Sequence, residues 1–223
     1  LVTIDELLYN SELKQEVGNN IDAVFDYLKS CVGEPYSKLL YNTIVSQGEL
    51  LSTFIFSHYL TQEGLNARLL PALDFMRIDR NGEPDNLYIN RNLNRVIDEI
   101  LPADIYITQG FICLDADGEI ANLERGGSDY TATIIGSVIN ADEVQIWTDI
   151  DGFHNSDPRF VENTHVISNL SFDEAAELAY FGAKILHPQT VMPVREFDIP
   201  IRLKNTMQPE AYGTLINSEI HGD

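Results

Sequence analysis

The chain has 223 residues, of which 44% are hydrophobic, so it is long enough to bury the core of one large domain or of one and a half. Its formal net charge is −21, from 14 Lys and Arg against 35 Asp and Glu, and this argues against binding nucleic-acid backbones, which require a basic face. No apolar run is long enough to cross a membrane, so we expect neither a nucleic-acid nor a membrane partner.

The two cysteines, Cys31 and Cys113, lie far apart in the sequence. The first residues have neither the basic start nor the apolar run of a signal peptide. Both features fit a reduced cytoplasmic protein without a disulfide framework, and we expect that location.

The first third of the chain is predicted to be helical. Four apolar residues there have the spacing of one buried helix face: Ile21, Val24, Phe25 and Leu28. A second helix is predicted over residues 42–60, and the sequence Gln47-Gly48-Glu49-Leu50 lies inside it.

From residue 67 onward, strands and helices alternate in the predicted order. Strands are predicted at residues 67–70, 104–108, 143–148 and 199–203. Helices are predicted at 130–139, 172–181 and 190–196, and Asn81-Gly82 and Asp117-Gly118 mark turns. This alternation implies a parallel α/β sheet with helices on its faces. Ligands of such sheets bind beyond the carboxyl ends of the strands.

The segment Arg125-Gly126-Gly127-Ser128-Asp129 stands directly before the helical pattern at 130–139. A glycine-rich loop that opens a helix offers free backbone N–H groups and the positive end of the helix dipole. Arg125 adds a forked donor that suits a carboxylate or a phosphate. The pattern predicts a site for a small anion. The alternative is a loop that needs glycines for its backbone and takes its helix cap from Ser128 or Asp129.

A second polar segment follows the strand predicted at 143–148. A strand that ends in Thr148-Asp149 and continues to Gly152 can hold a ribose, a base edge or a metal-bridged phosphate. Ordinary turn chemistry explains the same residues equally simply, since Asp-Gly is common in turns.

Two charged residues stand in or beside predicted helices. Lys184, after Gly182 and Ala183, could neutralise a phosphoryl group in transfer. Glycine and lysine are also favoured at an ordinary helix C-terminus. Glu49, inside an apolar helix, either faces solvent or binds a substrate ammonium group.

Taken in order along the chain, these segments resemble the aspartokinases, which are members of the amino-acid kinase family. The resemblance extends from about residue 41 to residue 216 and lies in these blocks: Gln47-Gly48-Glu49-Leu50, Ile107-Thr108-Gln109-Gly110-Phe111, residues 125–132, Trp147-Thr148-Asp149, Asp157-Pro158-Arg159, residues 181–188 and Gly213-Thr214-Leu215-Ile216. The joint match is far more specific than any one block. It implies a three-layer α/β fold of the carbamate kinase-like type, with a mostly parallel sheet that lacks its first strand segment.

The resemblance implies ATP-dependent phosphorylation of the side-chain carboxylate of L-aspartate to 4-phospho-L-aspartate, with ATP and Mg²⁺ as cofactors. This is the first step toward lysine, threonine and methionine. The substrate contacts that it implies are Glu49, Arg125, Ser128 and Asp129. The ATP contacts that it implies are Thr148, Asp149, His154, Arg159 and Lys184, and no residue is assigned as a metal ligand.

Three of these residues have distinct implied roles. Arg125 would clamp the α-carboxylate of the substrate. Glu49 and Asp129 would both hold the ammonium group of the substrate. Lys184 would lie near the phosphates as the catalytic lysine. A zwitterionic substrate needs such a cation and one or two carboxylates at fixed spacing. Attack by one anion on another needs Mg²⁺ and lysines more than a general base.

Family members also open with a Lys-Phe-Gly-Gly-Thr-Ser loop around the transferring phosphate and end with regulatory ACT domains. Neither pattern occurs in this sequence. We therefore expect residues 1–217 to be a partial catalytic domain, with a helical subregion at 1–40, a substrate- and nucleotide-binding core at 41–217 and a tail at 218–223.

On this view the 223 residues alone would have little kinase activity, and the intact protein would be a homodimer through its ACT domains. Two alternatives stay open. One is a module that binds an amino acid or a nucleotide without catalysis. The other is an amino-acid kinase that acts on a different carboxylate.

Overall fold

The computed structural model describes residues 2–124, 126–156, 161, 163–180 and 186–219. The chain divides into two compact units, Leu1–Leu123 and Glu124–Asp223, which we call the first and the second unit. Both combine helices with short β-strands, so the predicted α/β class is confirmed.

The first unit begins with helices and continues with mixed elements. Its helices are α1 Val2–Leu7, α2 Ser11–Ser30, α3 Lys38–Gln62 and α4 Asn86–Glu99. Its strands are β1 Ala67–Leu70, β2 Ile105–Thr108, β3 Ile112–Leu114 and β4 Ile120–Asn122. A short 3-10 turn, Ala72–Asp74, follows β1.

Side-chain caps set where the long helices begin. Asn10 Oδ1 accepts hydrogen bonds from the N–H groups of Glu12 and Leu13, at 3.0 and 3.2 Å, at the start of α2. Ser37 Oγ accepts from the Leu40 N–H at 3.1 Å at the start of α3. Each cap stabilises its helix by about 1 kcal/mol, because it satisfies a donor that has no partner within the helix.

Two small sheets lie in the first unit. β1 and β2 pair in parallel, with Leu70 opposite Thr108, and β3 and β4 form an antiparallel pair. The carboxyl ends of β1 and β2 therefore meet at one edge, where Gln109 and Gly110 follow β2 directly. α3 packs on both strands of this parallel pair.

The second unit is built on a four-stranded sheet in the order β5-β7-β8-β6. Its strands are β5 Val144–Thr148, β6 Asn169–Ser171, β7 Ile201–Asn205 and β8 Thr214–Asn217. Its helices are α5 Gly127–Ile139, α6 Phe172–Tyr180 and α7 Met192–Arg195, with a 3-10 turn at Pro188–Val191. β5 pairs with β7, and β6 with β8, in parallel, whereas β7 and β8 are antiparallel.

One face of this sheet forms the core of the second unit. Alternate residues of β5 and β7 are buried, among them Ile146, Ile201 and Leu203. Phe153 and Val194, both 0% exposed, belong to the same cluster. Burial of each such side chain stabilises the fold by about 1.5–3 kcal/mol, so this cluster holds β5 and β7 in register.

The observed elements differ from the sequence predictions in several places. The helix predicted at 42–60 spans Lys38–Gln62, because Ser37 caps it earlier. The helix predicted at 190–196 is a 3-10 turn followed by the four residues of α7, because Pro188 and Pro193 lack the N–H groups that a longer α-helix needs. α4 and strands β3, β4, β6 and β8 were not predicted, so the strand at 199–203 is not the last one.

Candidate functional site

The loop before α5 lies against the segment that contains His187 and Thr190. Gly126 has a left-handed backbone, with φ 59° and ψ 26°, and α5 begins at the next residue. A β-carbon on Gly126 would lie 2.9 Å from His187 Cβ and 3.1 Å from Thr190 Oγ1, so both the backbone angle and the space require glycine. Because glycine has no side chain to cap the helix, the first N–H groups of α5 need other partners, and an anion is one.

A buried hydroxyl faces the same loop. Thr190 is 0% exposed, and among the described residues its Oγ1 has no hydrogen-bond partner. Buried hydroxyls normally have one. The position beside Gly126 therefore has unused hydrogen-bonding capacity.

Asp129 is the acidic residue in the first turn of α5. It is half-buried, and burial raises the pKa of its carboxyl above the ordinary value. Burial disfavours the ionised form, so a bound cation would lower the free energy of this carboxylate. Ser128, one residue earlier, is exposed. The start of α5 therefore combines a place for an anion with a carboxylate that favours a cation.

The carboxyl ends of β5 and β7 form a second polar region. Thr148 lies opposite Asn205 in the parallel pair. Thr148 Oγ1 donates to Asp149 Oδ1 at 3.2 Å, and the Thr206 N–H donates to the Thr148 carbonyl at 2.8 Å. Asp149 is exposed. This edge offers hydroxyl and carboxylate groups of the kind that bind ribose hydroxyls.

His154 follows β5 and has both ring nitrogens engaged. Its Nε2 lies 2.7 Å from Asp151 Oδ1, and its Nδ1 lies 3.0 Å from Thr164 Oγ1. A ligand can therefore contact the ring face without breaking these bonds, whereas a hydrogen bond to a ring nitrogen would displace one of them.

The loop that contains His154 is fixed to β8 through Thr214. The Thr214 hydroxyl accepts from the Phe153 N–H at 2.9 Å and donates to the Ile167 carbonyl at 2.8 Å. A β-carbon on Gly152 would lie 2.5 Å from the same Oγ1, and Gly152 has φ 139°, so this position also requires glycine. Gly152 and Phe153 are thus held against Thr214 at the start of β8.

The first unit has its own polar network at the end of β2. Glu49 Oε1 accepts from the Gly110 N–H at 3.2 Å. Gln109 Oε1 accepts from the Ala72 N–H at 2.8 Å, and Gln109 Nε2 donates to Thr53 Oγ1 at 2.8 Å. The Thr53 hydroxyl in turn donates to the Glu49 carbonyl at 2.9 Å.

The structure thus places some of the predicted site residues and not others. Ser128 and Asp129 share the first turn of α5, and Thr148 and Asp149 share the end of β5. Glu49 lies in the first unit. Three predicted residues lie outside the described part of the chain, and their roles stay predictions: Arg125, Arg159 and Lys184.

Sequence reasoning missed the roles of Gln109, Thr53 and Thr190. Gln109 did stand in one of the blocks of the resemblance, and a polar residue directly after a predicted strand was the available signal. The residues that it joins are 56 and 37 positions away, so their contact is not visible in the sequence.

Within the described residues, no group of three or more His, Cys, Asp or Glu side chains is placed to hold a metal ion. None of the helices there is both long enough and apolar enough to span a membrane.

Comparison with known proteins shows similarity over most of the chain. The model of the amino acid kinase family matches residues 3–205. Lysine-sensitive aspartokinase 3 of Escherichia coli (strain K12) is 35% identical over 216 residues, which cover 96% of this chain and 48% of the relative. Aspartokinase 1, chloroplastic, of Arabidopsis thaliana is 42% identical over 180 residues, which cover 78% of this chain and 32% of the relative. The chain therefore spans about half the length of these relatives, or less.

Solved structures agree with the sequence comparison. The crystal structure of E. coli aspartokinase III in complex with aspartate and ADP matches 98% of this chain and 49% of that chain, with a TM-score of 0.85 and 32% identity. The UMP kinase from Bacillus anthracis matches 82% of this chain, with a TM-score of 0.54 and 17% identity, which shows a shared fold alone.

Proposed function

This chain belongs to the amino acid kinase family, and we propose that it contains the catalytic machinery of an aspartokinase, which transfers the terminal phosphoryl group of MgATP to the side-chain carboxylate of L-aspartate. The observation that supports this most directly is the match of nearly the whole chain to an aspartokinase crystallised with aspartate and ADP. The product would be 4-phospho-L-aspartate, together with ADP.

The proposed substrate site uses charges of both signs. Arg125 and the first N–H groups of α5 would bind the α-carboxylate, and Asp129 would bind the ammonium group. Glu49, in the first unit, is proposed separately as an ammonium contact. Burial raises the pKa of Asp129, and an ammonium partner would offset the cost of its ionisation. Ser128 would line the same site. Paired charges at fixed spacing select a zwitterion over a simple carboxylate.

The proposed nucleotide site lies at the carboxyl ends of β5 and β7, the usual place for ligands of α/β sheets. The polar groups of Thr148 and Asp149 fit a ribose, and His154 would contribute its ring face because both of its nitrogens are engaged. Arg159 and Lys184 would face the phosphates.

Mg²⁺ would be held largely by the nucleotide. This ion usually keeps several waters and binds through substrate phosphates with one or two carboxylates. When bound, it neutralises charge on the transferring group.

In this reaction the main role of the chain would be to position two anions, the side-chain carboxylate of aspartate and the terminal phosphate of ATP. An oxygen of the aspartate side chain would attack the terminal phosphorus while the bond to the bridging oxygen of ADP breaks. The attacking carboxylate is already ionised near neutral pH, so no general base is needed. Lys184 would stabilise the negative charge on the transferring group, which gives it the catalytic role in this proposal.

The test is an assay of the intact protein with MgATP and a series of carboxylate acceptors. We expect ADP release that depends on L-aspartate, and an acyl phosphate that hydroxylamine traps as a hydroxamate. ADP release that depends on glutamate or N-acetylglutamate instead of aspartate would mean that the protein uses another acceptor within the family. Binding of aspartate and ATP without ADP release would identify a non-catalytic module.

We also propose that the protein works in the cytoplasm and that the intact protein is a homodimer through regulatory ACT domains, as the resemblance implies. Both cysteines are free, which suits a reducing compartment. The molar mass of the intact protein in solution tests the oligomeric state.

A further inference from the structure

We propose that Gln109 is a positioning residue for Glu49: it acts through Thr53 and through its neighbour Gly110, and so sets the affinity of the substrate site for the ammonium group of the amino acid. This inference rests on the proposed function, since it takes Glu49 as a substrate contact.

Gln109 is buried, and its side-chain amide makes two hydrogen bonds. Its exposed fraction is 2%, in a segment that leaves β2 at the sheet edge. The amide oxygen accepts from the Ala72 N–H and the amide nitrogen donates to Thr53 Oγ1, both at 2.8 Å. The reverse orientation of the amide would set its NH₂ group against the Ala72 N–H, so the backbone fixes which end faces Thr53.

Thr53 connects Gln109 by hydrogen bonds to the turn of α3 that contains Glu49. Its hydroxyl accepts from Gln109 and donates to the Glu49 carbonyl at 2.9 Å, a donor that it shares with the Leu50 carbonyl at 3.2 Å. It is 8% exposed, so water does not readily replace either partner. The main chain of Glu49 is therefore linked to Gln109 through one side chain.

The carboxylate of Glu49 is held by the residue next to Gln109. Its Oε1 accepts from the Gly110 N–H at 3.2 Å. Main chain and side chain of Glu49 are thus both fixed by residues 109–110, so a shift of this pair would move the carboxylate.

Positioning of this kind matters because α3 has no other acidic residue: Glu49 is its one carboxylate. Binding groups must be held within about 0.5 Å of the productive geometry by buried supporting contacts. A bond that supports a charged binding group affects substrate affinity more than it affects the binding of a nucleotide elsewhere.

The experiment compares five variants of the intact enzyme, three of which set the main comparison. Gln109→Met removes both hydrogen bonds with little change of shape. Thr53→Val removes the linking hydroxyl and keeps the branched side chain. Thr43→Val is the matched control, because Thr43 lies in α3 and its hydroxyl makes the same kind of bond, to the Leu39 carbonyl at 2.8 Å, without a link to Gln109.

We expect Gln109→Met and Thr53→Val each to raise the KM for aspartate about tenfold, the factor that corresponds to about 1.4 kcal/mol. The KM for ATP should stay within about twofold, since that binding does not use Glu49. Thr53→Ser keeps the hydroxyl and should restore the KM for aspartate, and Thr43→Val should leave both constants unchanged. The double variant Gln109→Met/Thr53→Val should be no worse than either single variant, because both break one chain of bonds.

Two results would overturn the inference while leaving the proposed function intact. One is an unchanged KM for aspartate in Thr53→Val. The other is a rise of both KM values in proportion to lost thermal stability, since this marks a purely structural role. A wild-type enzyme without aspartate-dependent ADP release would overturn the proposed function, and the role of Gln109 in aspartate binding with it.

Discussion

The carboxylate of Glu49, in the middle of α3, accepts a hydrogen bond from the backbone N–H of Gly110, 61 residues later in the chain, at an N···O distance of 3.2 Å. The bond uses one side of one carboxylate oxygen. A carboxylate has about four lone-pair sites, so this bond is compatible with a cation at another of them, as a site for an ammonium group needs.

Glu49→Gln separates the charge of this residue from its hydrogen bond. The glutamine oxygen can still accept from Gly110, so the fold should be unchanged, but an ammonium group loses its charged partner. We expect the KM for aspartate to rise about 10- to 100-fold, since a hydrogen bond to a charged group contributes about 1.5–3 kcal/mol. Steady-state kinetics and thermal unfolding of the intact enzyme measure both effects.

Glu63→Gln is the control for this substitution. Glu63 is the exposed C-cap residue just beyond the end of α3, so its replacement removes the same kind of charge away from Glu49. Equal KM values for aspartate in the wild type and in Glu49→Gln would remove Glu49 from the substrate site.

The sequence predicted those elements whose formation depends mainly on residues that are neighbours in the chain. β1 was predicted at residues 67–70 and spans them, whereas α5 begins at Gly127, the second of the two glycines, before the helix predicted at 130–139. β6 and β8 were missed although β8 is as long as β1, because so few residues carry little periodic signal. The antiparallel pairing of β8 with β7 depends on how the chain returns after Asn205, which is a tertiary property.

The same limit applies to the candidate site. Charged residues beside glycines, such as Asp129, could be identified from the sequence because helix starts have a recognisable pattern. The supporting contacts could not, because Gln109 and Thr53 are brought together only by the packing of α3 on β2. The engagement of both nitrogens of His154 likewise follows from loop geometry.

Asp129→Asn should change the pH dependence of stability in a defined direction. Burial raises the folded-state pKa of Asp129, so its favourable contribution is complete below the unfolded pKa and is lost as pH rises through the folded pKa. Relative to the wild type, the Asp129→Asn variant should therefore gain stability between about pH 3 and about pH 7, on either side of the ordinary carboxyl pKa of about 3.9. Urea unfolding at the two pH values measures the difference, and the KM for aspartate should rise.

An exposed carboxylate in the same unit provides the comparison. Asp142→Asn replaces an exposed residue between α5 and β5 and should show no such pH-dependent gain. If the stability of Asp129→Asn relative to the wild type fell from acid to neutral pH, this would contradict the effect of burial on the Asp129 carboxyl.

Asp85→Asn should show the opposite pH dependence. Arg77 Nε donates to Asp85 Oδ2 at 3.2 Å, and the Tyr88 N–H donates to Asp85 Oδ1 at 3.1 Å at the start of α4. Arg77 first, and then the Tyr88 N–H, lower the pKa of Asp85. Its stabilising contribution is present above the unfolded pKa and is lost as pH falls through the folded pKa.

We therefore expect Asp85→Asn, which keeps the capping oxygen but loses the charge that faces Arg77, to destabilise the protein by up to about 1 kcal/mol near pH 7, and this difference should narrow by about pH 3. Urea unfolding at both pH values measures it. Asp98→Asn, at an exposed position of the same helix, should be as stable as the wild type at both pH values. Equal stability of Asp85→Asn and the wild type near pH 7 would mean that the capping oxygen, which asparagine keeps, and not the charge stabilises the start of α4.

Gly213→Ala should destabilise the protein strongly because two independent constraints act at this residue. Gly213 has φ 74°, and a β-carbon there would overlap the Leu203 carbonyl oxygen, an atom of the β7 backbone that cannot turn aside. We expect a loss of at least about 3 kcal/mol, since steric overlap adds to the strain of a left-handed backbone. Gly118→Ala is the matched control, because Gly118 has φ 85° and open space around the new carbon, so only the strain of about 1 kcal/mol applies. Urea unfolding of both variants measures the difference. Equal losses in the two variants would contradict the prediction, because they would show that the chain at Gly213 can move away from the Leu203 carbonyl at no cost.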